Sequence, residues 1–105
     1  MGENIADLGG LLLALEAYRI SLKGQPAPVI DGLTGDQRFY MGWAQVWRMK
    51  MREPAQIVQI KTDPHAPGQF RANGTMRNQP GYYEAFGVKS GDKMYLAPKE
   101  RVIIW

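Results

Sequence analysis

Apolar residues recur at steps of three and four along the first part of the chain, a spacing that puts them on one face of an α-helix. The members of this pattern are Ile5, Leu8, Leu11, Leu12, Leu15, Tyr18 and Leu22. We predict a first helix from about Glu3 to Lys23. Gly24 suits a left-handed residue after the helix end, and Pro26 and Pro28 prevent the helix from continuing.

A second helix is predicted to begin after Thr34, because Thr34 and Gln37 have the T-x-x-Q spacing of a capping box. An aromatic and apolar stripe follows, made up of Phe39, Tyr40, Trp43, Val46 and Trp47. A buried aromatic side chain removes about 150–250 Å² from water, so this stripe is expected to face the core.

The rest of the chain is predicted to contain shorter elements. We expect a third helix from Pro54 to about Lys61, a stiff loop from Thr62 to Gly74, and a short helix from Pro80 to Phe86 ended by Gly87. The last residues, from Lys89 onward, are expected to form loops and a short extended tail. The predicted fold class is therefore mainly α, with three main helices, short helices and a loop-rich C-terminal part.

The chain contains a single histidine, His65, in the predicted loop between Pro64 and Pro67. Each proline fixes its own φ and biases the preceding residue toward extended geometry, so the imidazole is held on a stiff segment. A single histidine is often structural or solvated. The rigid setting, with Asp63 and Arg71 nearby in sequence, keeps a functional role equally open.

Two acids, Glu3 and Asp7, stand four residues apart at the start of the first predicted helix. Side chains at this spacing lie on the same helix face, so the two like charges repel by a few tenths of a kcal/mol. The arrangement suggests that a cation, a proton or another partner lies beside the acids.

Composition narrows the function classes. A chain of 105 residues with 45% hydrophobic and 22% charged residues fits one globular domain. Its net charge of +3 comes from scattered basic residues, which is a weak argument for nucleic-acid binding. The absence of cysteine excludes disulfides, thiolate metal sites and cysteine nucleophiles. The apolar run from Gly9 to Leu15 is shorter than the roughly 20 residues of a membrane span, and no basic region precedes it to form a signal peptide.

The residues alone do not supply a complete catalytic centre. A catalytic zinc normally takes three protein ligands, and this chain offers one imidazole plus carboxylates and lacks the H-E-x-x-H pattern. Ser21 and Ser90 could be combined with a histidine and an acid on paper, but neither stands in a nucleophile elbow.

Several blocks in series nevertheless resemble the C-terminal end of the neprilysin and endothelin-converting-enzyme family of zinc metallopeptidases. The blocks are ENIAD with the following LGGL, FYMGWAQVW, KTDPHAPGQFR and the terminal tryptophan. They follow one another in the family's order across essentially the whole chain. The resemblance implies that residues 1–105 form the C-terminal part of a zincin catalytic domain whose H-E-x-x-H region lies outside this chain.

The resemblance also implies roles for individual positions. Glu3 matches the third zinc ligand, and Asp7 matches the aspartate that hydrogen-bonds a zinc-ligating histidine. His65 matches the histidine that stabilises the oxyanion formed when water attacks a peptide carbonyl. Arg71 matches the arginine that grips a substrate carbonyl. On this basis the cations that relieve the repulsion between the two acids are Zn²⁺ and Arg71.

Val46 and Trp47 match residues that line the pocket for the side chain just after the cleaved bond. Peptides are the implied substrates and zinc is the implied cofactor, with hydrophobic side chains favoured in that pocket. The family's mammalian members carry cysteines that this chain lacks, which fits a bacterial-type relative. Family members are mostly exported or membrane-anchored, although a cytoplasmic location is possible for bacterial forms.

Because the H-E-x-x-H region is outside this sequence, we expect the isolated chain to bind zinc weakly and to hydrolyse nothing. An alternative is a non-catalytic helical module, a relic of a peptidase, that self-associates through apolar faces. Leu8, Leu12, Trp43 and Trp47 are the side chains expected to be bare, and a homo-oligomer is the expected state. A basic nucleic-acid binder is a third alternative, supported only by the mild positive charge.

Overall fold

The computed structural model describes residues 2–104 and is mainly helical, as the sequence predicts. Within these residues it contains five α-helices, then a short 3-10 helix at Pro98–Glu100, and no strand longer than an isolated bridge between Ile30 and Leu33. The helices are α1 Gly2–Ser21, α2 Gly35–Val46, α3 Glu53–Thr62, α4 Gly68–Met76 and α5 Pro80–Phe86. Trp105, the terminal tryptophan of the resemblance, lies outside the described residues.

Helix α1 ends at Ser21, two residues before the predicted end at Lys23. Lys23 has a φ of 50° and Gly24 a φ of 76°, so the chain turns out of the helix through two left-handed residues. None of the helices within residues 2–104 combines the length and apolar character needed to cross a bilayer.

Helix α2 begins with the predicted capping box. The Gln37 backbone N–H donates to Thr34 Oγ1 over 3.2 Å, and the Thr34 backbone N–H donates to Gln37 Oε1 over 3.0 Å. This reciprocal pair satisfies two of the backbone donors that a helix start leaves without intrahelical partners. The amide of Gln37 also donates to the Ala85 carbonyl over 2.9 Å, which ties the start of α2 to α5.

The core lies where α1, α2, α4 and α5 meet. Its buried side chains are Leu11, Leu15, Tyr40 and Met76. Phe39 and Trp43 pack against this cluster, but Val46 is 68% exposed, so the expectation that the whole α2 stripe faces the core is wrong at Val46.

Helix α5 comes close to the core because residue 81 is glycine. A β-carbon there would lie 2.6 Å from the Tyr40 hydroxyl oxygen and 2.9 Å from Leu15 Cδ2, well inside normal contact distance. The tyrosine hydroxyl is buried without a hydrogen-bond partner among residues 2–104. The packing at this point is therefore tight and has no space for a larger side chain.

Helix α4 corrects the predicted loop from Thr62 to Gly74. Only residues 63–67 are non-helical, and α4 then runs from Gly68 to Met76. The glycines and β-branched residue of this segment are poor helix formers, but packing buries Ala72, Thr75 and Met76. Tertiary contact therefore overrides the local preference.

The two remaining regions differ in how they are held. Helix α3 runs from Glu53 to Thr62, close to the predicted Pro54–Lys61, and buries no residue. The C-terminal tail is fastened to α5 through Tyr83, whose hydroxyl donates to the Arg77 carbonyl over 2.8 Å and accepts from the Leu96 backbone N–H over 2.7 Å. The guanidinium of Arg101 lies 3.7 Å from the centre of the Tyr83 ring.

Candidate active site around Arg71

Arg71 on α4 and Asp7 on α1 form a closely matched ion pair. Arg71 Nε donates to Asp7 Oδ2 and Arg71 Nη2 donates to Asp7 Oδ1, each over 2.7 Å. The side chains are only 11% and 9% exposed, so the pair is largely shielded from water. The hydrogen bonds to Asp7 are the main reason that the pKa of Arg71 is raised. This two-bond geometry fixes the guanidinium in its own plane.

Glu3 lies beside the same guanidinium but is held more loosely. Its Oε2 is 3.5 Å from Arg71 Nη2, and its side chain is 52% exposed. Arg71 thus supplies positive charge to both of the acids that share a face of α1, which offsets their mutual repulsion. Of the two carboxylates, Glu3 is the one that remains accessible to a further cation.

Trp47, the residue that follows α2, covers one face of Arg71. The guanidinium carbon lies 4.0 Å from the centre of the indole, within the range of a cation–π contact. Trp47 in turn meets Trp43 edge to face, with ring centres 5.4 Å apart. Val46, predicted together with Trp47 as a pocket wall, is exposed.

His65 lies on the short segment between α3 and α4, and its contacts are local. Its backbone N–H donates to Asp63 Oδ1 over 2.9 Å, and its ring Nδ1 is 2.8 Å from the same oxygen. The side chain is 48% exposed. Within residues 2–104 no hydrogen bond or ion pair joins His65 to Arg71, Asp7 or Glu3.

Asp63 is the partner of His65 that the sequence reasoning did not assign. The spacing of an aspartate two residues before the histidine is typical of an Asx turn, in which the carboxylate accepts a backbone N–H two positions on. This spacing is the sequence signal that could have identified Asp63 as the partner of His65. These hydrogen bonds lower the pKa of Asp63, with the backbone N–H of His65 as the largest cause. Because a carboxylate accepts hydrogen bonds, the ring contact means that Nδ1 carries a proton.

The described part of the chain fits a zinc ion only as one contributor to a shared site. No group of three or more histidine, cysteine, aspartate or glutamate side chains in residues 2–104 could hold a metal ion. Glu3 has the half-exposed carboxylate that a single ligand requires, and Asp7 keeps lone pairs free to accept from an imidazole even with Arg71 bound. The remaining ligands would have to come from outside these residues.

Comparison with known proteins identifies the family of the chain. Residues 1–102 match Peptidase family M13. Neprilysin-1 of Caenorhabditis elegans is 39% identical over 109 residues, covering 99% of this chain and 14% of the relative. The neutral endopeptidase of Lactococcus lactis is 38% identical over 109 residues, covering 100% of this chain and 15% of the relative.

A solved protein structure is also similar to this chain in sequence and in fold. The crystal structure of the zinc metalloprotease Zmp1 of Mycobacterium tuberculosis in complex with an inhibitor is 56% identical in sequence and has a TM-score of 0.96. The match covers 99% of this chain and 16% of that chain. The chain therefore spans about one seventh of the length of the curated relatives it matches, covering 14% and 15% of the two named above. These findings confirm the resemblance drawn from the sequence blocks: the chain belongs to Peptidase family M13.

Proposed function

We propose that residues 1–105 form the C-terminal part of the catalytic domain of a zinc-dependent metalloendopeptidase that hydrolyses peptides. The observation that carries the proposal is the Arg71 guanidinium, which contacts Asp7, Glu3 and the Trp47 ring at once. Four side chains from three separate parts of the chain thus converge on one partly accessible point. Family membership supports the reaction class.

Glu3 would be the zinc ligand that this chain contributes. Its carboxylate is half exposed and only loosely paired, so it can turn toward a metal without breaking a short hydrogen bond. Asp7 would orient a histidine ligand supplied by residues outside the chain, while its short bonds to Arg71 hold it in place. When bound, zinc would polarise the peptide carbonyl and activate the attacking water.

Arg71 would bind a carbonyl oxygen of the substrate backbone. Its Nε and Nη2 are engaged by Asp7, and no hydrogen bond within residues 2–104 uses Nη1. A guanidinium fixed on one edge presents its free donors in one direction, which suits a carbonyl acceptor. Trp47 would line the pocket for the side chain after the cleaved bond, with Val46 at its exposed margin.

His65 would donate a hydrogen bond to the developing oxyanion. Since its Nδ1–H is directed at Asp63, Nε2 carries a hydrogen only when the ring is protonated, so the donor form would be the imidazolium. No hydrogen bond or ion pair joins His65 to Arg71 within residues 2–104, and the two side chains would bind separate oxygen atoms of the substrate.

The test is to place this chain in the matching segment of Zmp1 and to measure zinc content and peptide hydrolysis. We expect an active chimera, in which Glu3→Gln lowers the bound zinc and abolishes hydrolysis. Glu16→Gln is the matched control, because Glu16 lies on the same helix and, among residues 2–104, forms an ion pair with Arg19 alone at an exposed position. A chimera that keeps its zinc and its activity after Glu3→Gln would exclude Glu3 as a ligand.

His65 is tested separately in the same chimera. We expect His65→Gln to lower kcat about 10²–10³-fold, the usual effect of removing one oxyanion donor, with zinc content unchanged. The 105-residue chain by itself is expected to hydrolyse no peptide. Hydrolysis by the purified chain that a chelator abolishes would contradict that expectation. Export from the cytoplasm is proposed from the family alone.

A second candidate function is that of a non-catalytic helical module that self-associates. The observation in its favour is the apolar exposed surface of α3, where Ile57, Val58 and Ile60 are all exposed. The sequence predicts other exposed apolar side chains, and these are less exposed than those of α3. Each of them is partly covered: Leu8, Leu12, Trp43 and Trp47. Sedimentation of the isolated chain at micromolar concentration tests this candidate. A homo-oligomer is expected, and a monomer would count against it.

A further inference from the structure

We propose that Trp47 is a positioning residue for Arg71, in addition to any part it has as a pocket wall. The inference rests on the proposed function, in which Arg71 binds a substrate carbonyl. It assigns to the indole the task of fixing the direction in which Arg71 presents its free donors.

The geometry around the guanidinium carries this inference. Asp7 binds Nε and Nη2 over 2.7 Å each, which prevents rotation within the guanidinium plane. Those two bonds still allow the plane to tilt about the edge that faces Asp7. The indole of Trp47, 4.0 Å from the guanidinium carbon, packs against the face and opposes that tilt. The Nη1 donors are then held in one direction.

The position of Trp47 itself is fixed by packing. Its indole N–H is buried and has no hydrogen-bond partner within residues 2–104, so the ring is placed by its neighbours and not by a polar contact. Trp43 meets it edge to face at 5.4 Å between ring centres. A ring held in this way can act as a support for another side chain.

Gly68, at the start of α4, sets the distance between Trp47 and Arg71. A β-carbon at position 68 would lie 2.8 Å from the Trp47 carbonyl oxygen and 3.5 Å from the Trp47 Cβ. Gly68 is also three residues before Arg71 on the same helix, so the two lie on one face of α4. The missing side chain therefore lets the helix that carries Arg71 approach the residue that supports it.

The first test uses the Zmp1 chimera with variants at position 47. We expect Trp47→Leu to lower kcat/KM about 2- to 30-fold, the range of about 0.5–2 kcal/mol known for cation–π contacts, chiefly through KM. Trp47→Phe keeps an aromatic face and should restore most of the loss. Part of the loss should be the same for all substrates, whatever the side chain after the cleaved bond, because it comes from Arg71. This shared part should disappear when Arg71 is already replaced in Arg71→Met.

A pocket-wall role alone predicts the opposite pattern. The whole loss would then depend on the substrate side chain and would persist in the Arg71→Met background, and this result would overturn the proposal. Trp47→Met, which is unbranched and has no aromatic face, replaces Trp47→Leu if the latter does not fold.

The second test changes the spacing without touching the indole. Gly68→Ala should lower kcat/KM in the same substrate-independent way, because the added methyl group must push α4 away from Trp47. Gly74→Ala is the matched control on the same helix, since a β-carbon there meets nothing within 4 Å, and it should leave kcat/KM unchanged. Equal effects of the two alanines would contradict the proposal.

A crystal structure of the Trp47→Leu chimera separates this inference from the proposed function. We expect the Arg71 side chain to leave its single orientation against Asp7 when the indole is absent, and an unchanged Arg71 would overturn the inference. The orientation of Arg71 in this crystal structure can be determined whether or not the chimera is active. An inactive wild-type chimera would therefore refute the proposed function while leaving the positioning role open to this measurement.

Discussion

The two halves of the candidate site are held in very different ways. Arg71 and Asp7 are 64 positions apart in sequence and meet because α1 and α4 pack together. His65 and Asp63 are two positions apart, and their contact needs only the local turn. The Arg71 half therefore depends on the whole fold, whereas the His65 half depends on three residues. The two parts of the candidate site therefore depend on different kinds of contact, one between distant helices and one within a single turn.

The largest expected effect is the removal of the Arg71 guanidinium, which is only 11% exposed. Arg71→Met leaves the Asp7 carboxylate shielded and unpaired, which typically lowers the free energy of unfolding by about 3–5 kcal/mol. Urea unfolding of the 105-residue chain measures it. Arg19→Met is the control, because Arg19 is 39% exposed in its pairs with Asp36 and Glu16 and should cost less than about 1 kcal/mol. If the two variants lost equal free energies of unfolding, the Arg71–Asp7 pair would be no more important to the fold than an exposed ion pair.

The next effect concerns alkaline pH and the core that supports the Arg71 half. Burial raises the pKa of Tyr40 from 10.0 to about 12. Between these values the unfolded chain has lost the proton and the folded chain has kept it, so stability falls as pH rises. The fall should be on the order of 3 kcal/mol, because each pKa unit corresponds to about 1.36 kcal/mol.

Tyr40→Phe removes this titrating group and should reduce the alkaline fall, leaving the part that comes from Tyr82, whose pKa is also raised by burial. Unfolding free energies of both chains at a series of pH values measure the difference. At neutral pH the variant should be no less stable, because the Tyr40 hydroxyl is buried without a partner among residues 2–104. If the free energy of unfolding fell as steeply with pH in Tyr40→Phe as in the original chain, the fall would come from groups other than Tyr40.

A smaller effect is expected from overpacking the core. Gly81→Ala places a methyl group against Tyr40 and Leu15 and should destabilise the chain by about 1–3 kcal/mol. Gly42→Ala is the matched control, since a β-carbon there meets nothing within 4 Å and alanine favours the helix by up to about 1 kcal/mol. Thermal unfolding should therefore move in opposite directions for the two variants.

The smallest effect is expected at the local half. Asp63→Asn weakens the hydrogen bonds from His65 and should leave global unfolding unchanged, because Asp63 and His65 are both exposed. The hydrogen bonds from His65 lower the pKa of Asp63, so their contribution is present above the ordinary carboxyl pKa and is lost as pH falls through the lowered value. The chemical shift of the His65 backbone amide should follow that titration. A cooperative loss of the whole fold in Asp63→Asn would show that this half is not local.

The sequence allowed most of the helices to be predicted, because their signals are local. The Thr34–Gln37 box, the prolines at the starts of α3 and α5 and the left-handed Gly87 after α5 each mark a boundary through neighbouring residues. The sequence pattern does not predict α4, because Gly68 and Gly74 disfavour a helix and the stabilising burial is against the distant helices α1 and α2.

The same distinction applies to the candidate site. The family resemblance named Glu3, Asp7, His65 and Arg71, but spacing along the chain does not reveal that Asp7 and Arg71 pair directly. That contact exists because α4 is a helix, which the sequence pattern did not predict. The stacking of Trp47 on Arg71 has no sequence signal, since it depends on where α2 ends relative to α4.

The hydroxyl oxygen of Tyr83 connects α5 to the C-terminal part of the chain. This one oxygen atom of α5 accepts from the Leu96 backbone N–H and donates to the Arg77 carbonyl, while the Arg101 guanidinium carbon lies 3.7 Å from the centre of the same ring. The segments before and after α5 are thus both hydrogen-bonded to the buried side chain of Tyr83. Residues 97–104 therefore lie next to side-chain contacts with α5, and we expect a variant that loosens α5 to loosen this segment as well.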